Sequence, residues 1–222
     1  MATVTTQIPS LTADEVLSTT RTVRKRLDMS RPVPRSLLQE CMRIAQQAPI
    51  ASNGFYTHFM VVSDPAKRAA LAPIYKRAWD AYVPMPFSVP NLQIDDPAHK
   101  AQQPRVLDSA TYLAEHLAEV PTLVIPCISP RPDGQPAWIA ACLWGGALPA
   151  AWSFMLAARA RGLGVAWTCL HLMFEEEAAA VLGIPYSEVF QAGLLPVAYS
   201  QGTDFKAAYR EPLDKFVHWD TW

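Results

Sequence analysis

Apolar and polar positions recur along most of this chain with helical or strand-like periods, and the breaks between them mark ten elements. Thr12 and Glu15 form a T-x-x-E pair whose side chains cap each other's backbone N–H groups, which predicts a helix from Ala13 to Thr20. After Pro32 and Pro34, Leu37, Cys41, Ile44 and Ala48 recur at spacings of four, three and four, so a second helix is expected to bury that face until Pro49 ends it. HFMVVSD, residues 58–64, reads as a buried strand. PAKRAALAPIYKRAWDAY behind it reads as an amphipathic helix with Leu71, Tyr75, Ala78 and Tyr82 in a line.

From Val83 to Pro104 the pattern stops, because Pro84, Pro86, Pro90, Pro97 and Pro104 forbid a continuous helix or central strand. Met85, Phe87, Val89 and Leu92 give this stretch apolar anchors, so a lid-like insertion over about 79–105 is expected. Beyond it come a helix from Val106 to Glu119, a strand TLVIPCI, a long apolar helix from Ala137, and a strand VAWTCL after the Gly162-Leu-Gly164 turn. A helix EEEAAAVL closed by Gly183, a strand FQAGLLPVAY and a C-terminal arm over 203–222 complete the chain. This order predicts one domain over 1–222, α+β or α/β-like, with four or more strands covered by helices.

The run AWIAACLWGGALPAAWSFMLAA, residues 137–158, carries no charge and is long enough to cross a bilayer. Eight alanines, Pro149 and the Gly145-Gly146 pair argue instead for a helix inside the protein or at a subunit interface, and no membrane partner is expected.

Charge changes the picture only locally. The chain's 19 Lys and Arg offset 20 Asp and Glu, which speaks against a general nucleic-acid or membrane-surface binder. Yet TTRTVRKRLD places Arg21, Arg24, Lys25 and Arg26 within six residues, and GTDFKAAYREPLD adds Lys206 and Arg210 near the other end. Taken singly each cluster reads as a solvated face. Converging, they would suit a phosphate dianion, which takes Arg forks and a Lys point charge. A non-enzymatic nucleic-acid binder using 21–26 is the reading of a different class.

Cys41, Cys127, Cys142 and Cys169 have neither disulfide nor zinc spacing, and MATVTTQIPSLTADE lacks the basic and apolar regions of a leader, so a cytoplasmic protein is expected. The five histidines show no metal spacing, and G-x-G-x-x-G, P-loop, G-x-S-x-G and H-E-x-x-H patterns are all missing. No metal and no catalytic side chain is expected; an enzyme of this kind would rely on a cofactor.

Four segments in register resemble the FMN-dependent nitroreductase family: TRTVRKRLD with RPVPRSLLQECMRIAQQAP, then APIASNGFYTHFMVVSDPAKR, LAARARGLGVAWTCL, and LLPVAYSQGTDFKAAYREPLDKFVHWDTW. The resemblance implies a central, mostly antiparallel sheet flanked by helices in an intertwined homodimer. It implies FMN as cofactor, held at its phosphate and ribityl chain by Arg21, Thr22, Arg24, Lys206 and Arg210, with Arg24 or a neighbour also placing positive charge near the pyrimidine ring. Pro49, Ser52 and Asn53 would belong to the same site. Trp167, Thr168 and Cys169 would line the isoalloxazine, with a backbone N–H at its hydride-accepting nitrogen; without the resemblance they read as a plain buried strand. NAD(P)H would be the reductant in a ping-pong cycle, and an electron-poor aromatic such as a nitroaromatic the acceptor. Reductive dehalogenation and quinone or enone reduction are the alternatives on the same scaffold.

Two departures from the family pattern stand out. Thr20 precedes Arg21 where a second arginine is common, and Phe55 and Thr57 stand where a glutamine and a tryptophan are common. The flavin side is therefore expected to be kept and the acceptor side altered, with Phe55, Tyr56, Trp79, Tyr82, Met85 and Phe87 around the acceptor.

Overall fold

The computed structural model describes residues 10–222, so the reading of the N-terminal segment falls mostly outside it. Helix α1 (Ala13–Thr19) begins where the capping pair places it: the Thr12 hydroxyl accepts from the Glu15 N–H, and the Glu15 carboxylate accepts from the Thr12 N–H. A short strand β1 (Leu27–Asp28), helix α2 (Arg35–Ala45), strand β2 (Thr57–Val62) and helix α3 (Pro65–Tyr82) follow. The Asp64 side chain caps α3 by accepting from the Ala66 N–H. Next come α4 (Pro97–Lys100), α5 (Gln103–His116), β3 (Thr122–Ile128), α6 (Ala137–Arg159), β4 (Leu163–Val165), α7 (Glu175–Leu182), β5 (Phe190–Gln191) and β6 (Leu195–Ser200).

The strands form one sheet in the order β1-β6-β3-β2, with β4 on β6 and β5 on β3, and every paired strand is antiparallel. Successive side chains of a strand point to opposite faces, and the central strand β3 uses both. Leu123, Ile125 and Cys127 enter a core with Leu71, Tyr75 and Trp79 of α3, Leu113 of α5 and Leu182 of α7. Val124 enters a second core with Cys41 and Ala45 of α2 and Ala151, Phe154 and Ala158 of α6. The result is a three-layer arrangement with the sheet in the middle, the mixed helix and antiparallel-sheet architecture expected.

Four details differ from the sequence expectation. The buried face of α2 is Leu38, Cys41 and Ala45, while Ile44 is 42% exposed and Ala48 lies beyond the helix. The small Cys41 and Ala45 let α6 approach closely, and that packing chose the neighbouring stripe. The strand expected at VAWTCL is β4 instead, inside the glycine turn, and Thr168 keeps only a single bridge to Leu194. FQAGLLPVAY is split into β5 and β6 around Gly193. The Pro-rich stretch is partly helical, since α4 starts at Pro97 and α5 at Gln103, where proline suits the first turn.

Helix α6 is long and apolar enough to cross a membrane by length and composition, with 39% of its most apolar window buried. It packs on α2, β2, β3 and β4. Leu143, Ala147, Ala150, Ala151 and Phe154 face inward, while Trp138, Ala141, Gly145, Leu148 and Trp152 form an exposed stripe at spacings of three and four.

Candidate cofactor site

The basic segment is held against β4. Val23 N–H donates to the Val165 carbonyl at 3.0 Å, and Thr22 makes a parallel bridge with Val165. The approach is so close that a Cβ on Gly164 would lie 3.0 Å from carbons of both Val23 and Leu27, which explains a glycine there. Val23 is buried, so the residues on either side of it, Arg21 with Thr22 and Arg24, are left near the surface.

The cations then divide. Lys25 pairs with Asp108, and Arg26 pairs with Asp204 across a chain turn made by Gly202 at φ 81°. Arg21 and Arg24 have no carboxylate partner among the described residues. Arg21 Nη1 donates to the Lys206 carbonyl at 3.1 Å, so the two ends of the chain do meet. Burial lowers the Arg21 pKa, and the positive charges of Arg210 and then Arg105 lower it further. Arg24 Nη1 donates to Ser109 Oγ at 3.2 Å, and its pKa is lowered by burial.

Arg24 also acts on the buried Tyr75, which shares a 3.0 Å hydrogen bond with the Thr168 hydroxyl, either oxygen being able to donate. Burial raises the Tyr75 pKa against the opposing pull of the Thr168 bond and the Arg24 charge, so the phenol stays protonated. The Thr168 N–H donates to the Leu194 carbonyl and the Thr168 carbonyl accepts from the Leu194 N–H, which fixes the backbone around Thr168. Cys169 is exposed and hydrogen-bonded to Trp167, whose indole nitrogen lies 3.5 Å from where a Cβ on Gly193 would stand.

Arg21, Thr22, Arg24, Trp167, Thr168, Cys169, Lys206 and Arg210 are thus gathered around β4 and its continuation. Arg105, Ser109 and Tyr75 stand with them and were missed. Tyr75 carried only a core-face signal, and Arg105 and Ser109 lie on a helix with no motif around them.

Pro49, Ser52 and Asn53 are placed elsewhere. They follow α2, on the side of the sheet where α2 and α6 pack, whereas Tyr75 and Ser109 belong to the layer of α3 and α5. Ser52 and Asn53 adopt left-handed backbone at φ 51° and 54°, a strained geometry that clusters at functional loops. This loop borders a cavity of about 680 Å³ lined by Met42, Gln46, Ile50, Phe55, Thr57 and Phe59, among others.

The six expected acceptor-side residues also separate. Phe55 is 82% exposed at that cavity, and Tyr56 is partly exposed and folds over Gly54. Trp79 is a correction: it lies in the core of α3, 5% exposed, because the helix turns it toward the sheet. From that base the Tyr82 ring meets Trp79 in a tilted contact at 5.8 Å and leads to the exposed Phe87 at 6.4 Å, with Met85 half-buried. The segment is ordered by its own bonds: Tyr82 Oη accepts from Val89 N–H, and Asn91 Nδ2 donates to Val83 O and Met85 O. Tyr209 Oη of the C-terminal arm donates to Asp96 Oδ2 at 2.7 Å, tying that arm to the start of α4.

Residues 17–199 match the model of the nitroreductase family, and the chain belongs to that family. Among solved structures it is similar to an iodotyrosine deiodinase bound to FMN and 3-iodo-L-tyrosine, at 19% identity and TM-score 0.69 over 94% of this chain and 98% of that one. It is also similar to the FMN-dependent nitroreductase NfnB from Mycobacterium smegmatis in complex with NADPH, at 20% identity and TM-score 0.68 over 94% and 98%. A nitroreductase-like protein from Bacillus cereus matches at 15% identity and TM-score 0.66 over 95% and 96%. No curated protein matches the sequence.

Proposed function

We propose that this chain is an FMN-dependent oxidoreductase that takes hydride from NADH or NADPH and passes electrons to an electron-poor aromatic acceptor, such as a nitroaromatic. The observation that carries this reading is the meeting of the two ends of the chain: Arg21 donates to the Lys206 carbonyl and feels the charge of Arg210, while its neighbour Thr22 bridges Val165, at the start of the stretch that continues to Thr168 and Cys169. Guanidiniums brought together without a carboxylate ion pair among the described residues, as Arg21 and Arg210 are, fit the flavin's phosphate. The ion pairs of Lys25 and Arg26 argue against using 21–26 as a nucleic-acid surface.

FMN, when bound, supplies the redox chemistry. The chain's own residues hold and tune it. Arg21, Lys206 and Arg210 bind the phosphate, Thr22 meets the ribityl region, and Arg24 sets positive charge near the pyrimidine ring. Trp167, Thr168 and Cys169 would line the ring system, and a backbone N–H of this stretch other than that of Thr168, which is bonded to Leu194, would be the donor to its hydride-accepting nitrogen. Pro49, Ser52 and Asn53 lie across the sheet and reach such a site from a second copy of the chain. The site is therefore proposed to be shared in a homodimer, with Phe55 and Tyr56 of one copy facing the Tyr82, Met85 and Phe87 segment of the other. Each copy is one domain over 1–222 with a lid at about 79–105 and an arm at 203–222, working in the cytoplasm without a membrane or nucleic-acid partner.

Anaerobic stopped-flow mixing tests the reading: the purified protein should show flavin absorbance, bleach with NADH or NADPH, and recover it on adding a nitroaromatic. Colourless protein that takes up no FMN would end it. Arg21→Ala and Arg210→Ala should each weaken FMN binding roughly tenfold to a hundredfold, since a charge-assisted contact is lost. Reductive dehalogenation is the second reading, favoured by the similarity to a deiodinase bound to 3-iodo-L-tyrosine. A halophenol in the acceptor panel decides between them.

A further inference from the structure

The segment from Arg21 to Lys25 runs beside the first turns of α5. Arg24 Nη1 donates to Ser109 Oγ at 3.2 Å, and Lys25 pairs with Asp108. Three or four residues earlier on both segments, Arg21 comes near Arg105, whose charge acts on it together with that of Arg210. The arm is fixed at two points, by Arg21 Nη1 on the Lys206 carbonyl and by Tyr209 Oη on Asp96 Oδ2 at the start of α4, the short helix before α5. Three guanidiniums from three distant segments therefore gather, and none has a carboxylate partner among the described residues. Lys25 and Arg26 next to them both have one, so acids are available in this region and are not used here. Gathered like charges repel unless an anion joins them, and three planar forks can share the oxygens of one terminal phosphate.

We propose that Arg105 is a third phosphate-binding guanidinium of the cofactor site, which makes the site selective for a phosphate monoester dianion over an uncharged flavin. The inference rests on the FMN reading above, and it adds a residue from the segment that follows the lid. Binding of the phosphate then also holds the start of α5, and the lid leading into it, against the body of the protein.

The test is titration of apoprotein with FMN and with riboflavin, read by flavin fluorescence, for the parent, Arg105→Ala, Arg105→Lys and Arg21→Ala. Arg105 is exposed, so its variants should fold, and circular dichroism checks this. Arg105→Ala is expected to weaken FMN roughly tenfold while leaving riboflavin affinity unchanged, with Arg105→Lys between it and the parent. It should also lower the salt dependence of FMN binding. If Arg21→Ala weakens FMN and Arg105→Ala does not, Arg105 is not a phosphate ligand and the FMN reading stands. If Arg105→Ala weakens both flavins equally, the residue acts on the ring or the fold and the inference fails. If the parent binds no FMN, both readings fail together.

Discussion

His171 is 2% exposed, and neither of its ring nitrogens has a hydrogen-bond partner, although Gln191 lies beside it with its own Oε1 unpartnered. Burial lowers its pKa from the ordinary 6.5 to about 4. The folded state thus keeps this imidazole neutral where the unfolded chain would protonate it. Its contribution is fully present above pH 6.5 and is lost as pH falls toward 4, by about 2 kcal/mol at pH 5. Urea unfolding at pH 7 and pH 5 should show that loss in the parent, and His171→Gln should remove most of it; an unchanged difference would assign the pH effect to other groups. Phe55 offers a residue-scale test of a different kind. With 82% of its surface exposed it contributes little to the core, so Phe55→Ala should leave melting temperature and FMN content unchanged. If it meets the acceptor, the variant raises the acceptor's KM or lowers its kcat/KM while the NAD(P)H half-reaction is preserved. Equal losses in both half-reactions would take Phe55 off the acceptor side.

Among the elements, α7 shows how one buried charge organises its neighbours. Glu175 opens the helix and is buried. It pairs with Arg131 at 2.8 Å and accepts from the Gln191 N–H at 2.7 Å. Arg131 also donates to the carbonyls of Tyr186 and Val189, so one ion pair fixes α7, the loop after β3 and the approach to β5. Arg131 also pairs with the exposed Asp133 at 2.9 Å, so removing Glu175 leaves the guanidinium one carboxylate and leaves the buried Gln191 N–H without its acceptor. Glu175→Ala should therefore cost about 3 kcal/mol in chemical denaturation. A loss below about 0.5 kcal/mol would show that the pair is as weak as a surface one. The long helix α6 raises the opposite issue, apolar surface without cover. Trp138 is 71% exposed, Leu148 39% and Trp152 37%, on one stripe. If that stripe meets a second copy, Leu148→Arg should shift the protein from dimer to monomer in light scattering without unfolding it. A monomeric parent would remove the premise.

For the whole molecule, the proposed shared site and the proposed dimer are one question. The strained turn at Ser52 and Asn53 lies on the α2 and α6 side, while Arg24, Tyr75 and Thr168 lie toward α3 and α5. The aromatic tail is just as open, with Phe216 64%, Trp219 83% and Trp222 101% exposed. Such a tail and stripe have the composition of an interface core. Dimer dissociation should accordingly release FMN, and the Leu148→Arg monomer should bind flavin more weakly than the parent. Retained affinity in the monomer would place the whole site within one chain.

Several elements were legible from the chain because their signals are local. The capping pair sets α1, PAKRAALAPIYKRAWDAY begins and ends as α3 does, TLVIPCI is β3, and Gly183 at φ 71° closes α7. The basic run, the arm and the glycine turn were visible as well, since charge and glycine are written directly in the sequence. Tertiary packing decided the rest. Two apolar stripes on α2 were available, and contact with α6 selected Leu38 and Ala45 over Leu37 and Ile44. Trp79 and Phe87 are both aromatic, and only the turn of α3 toward the sheet sends one into the core and leaves the other outside. Arg105 has no local signal whatever. Its place beside Arg21 follows from α5 lying along the N-terminal segment, a relation between residues 84 positions apart that only the folded chain brings about.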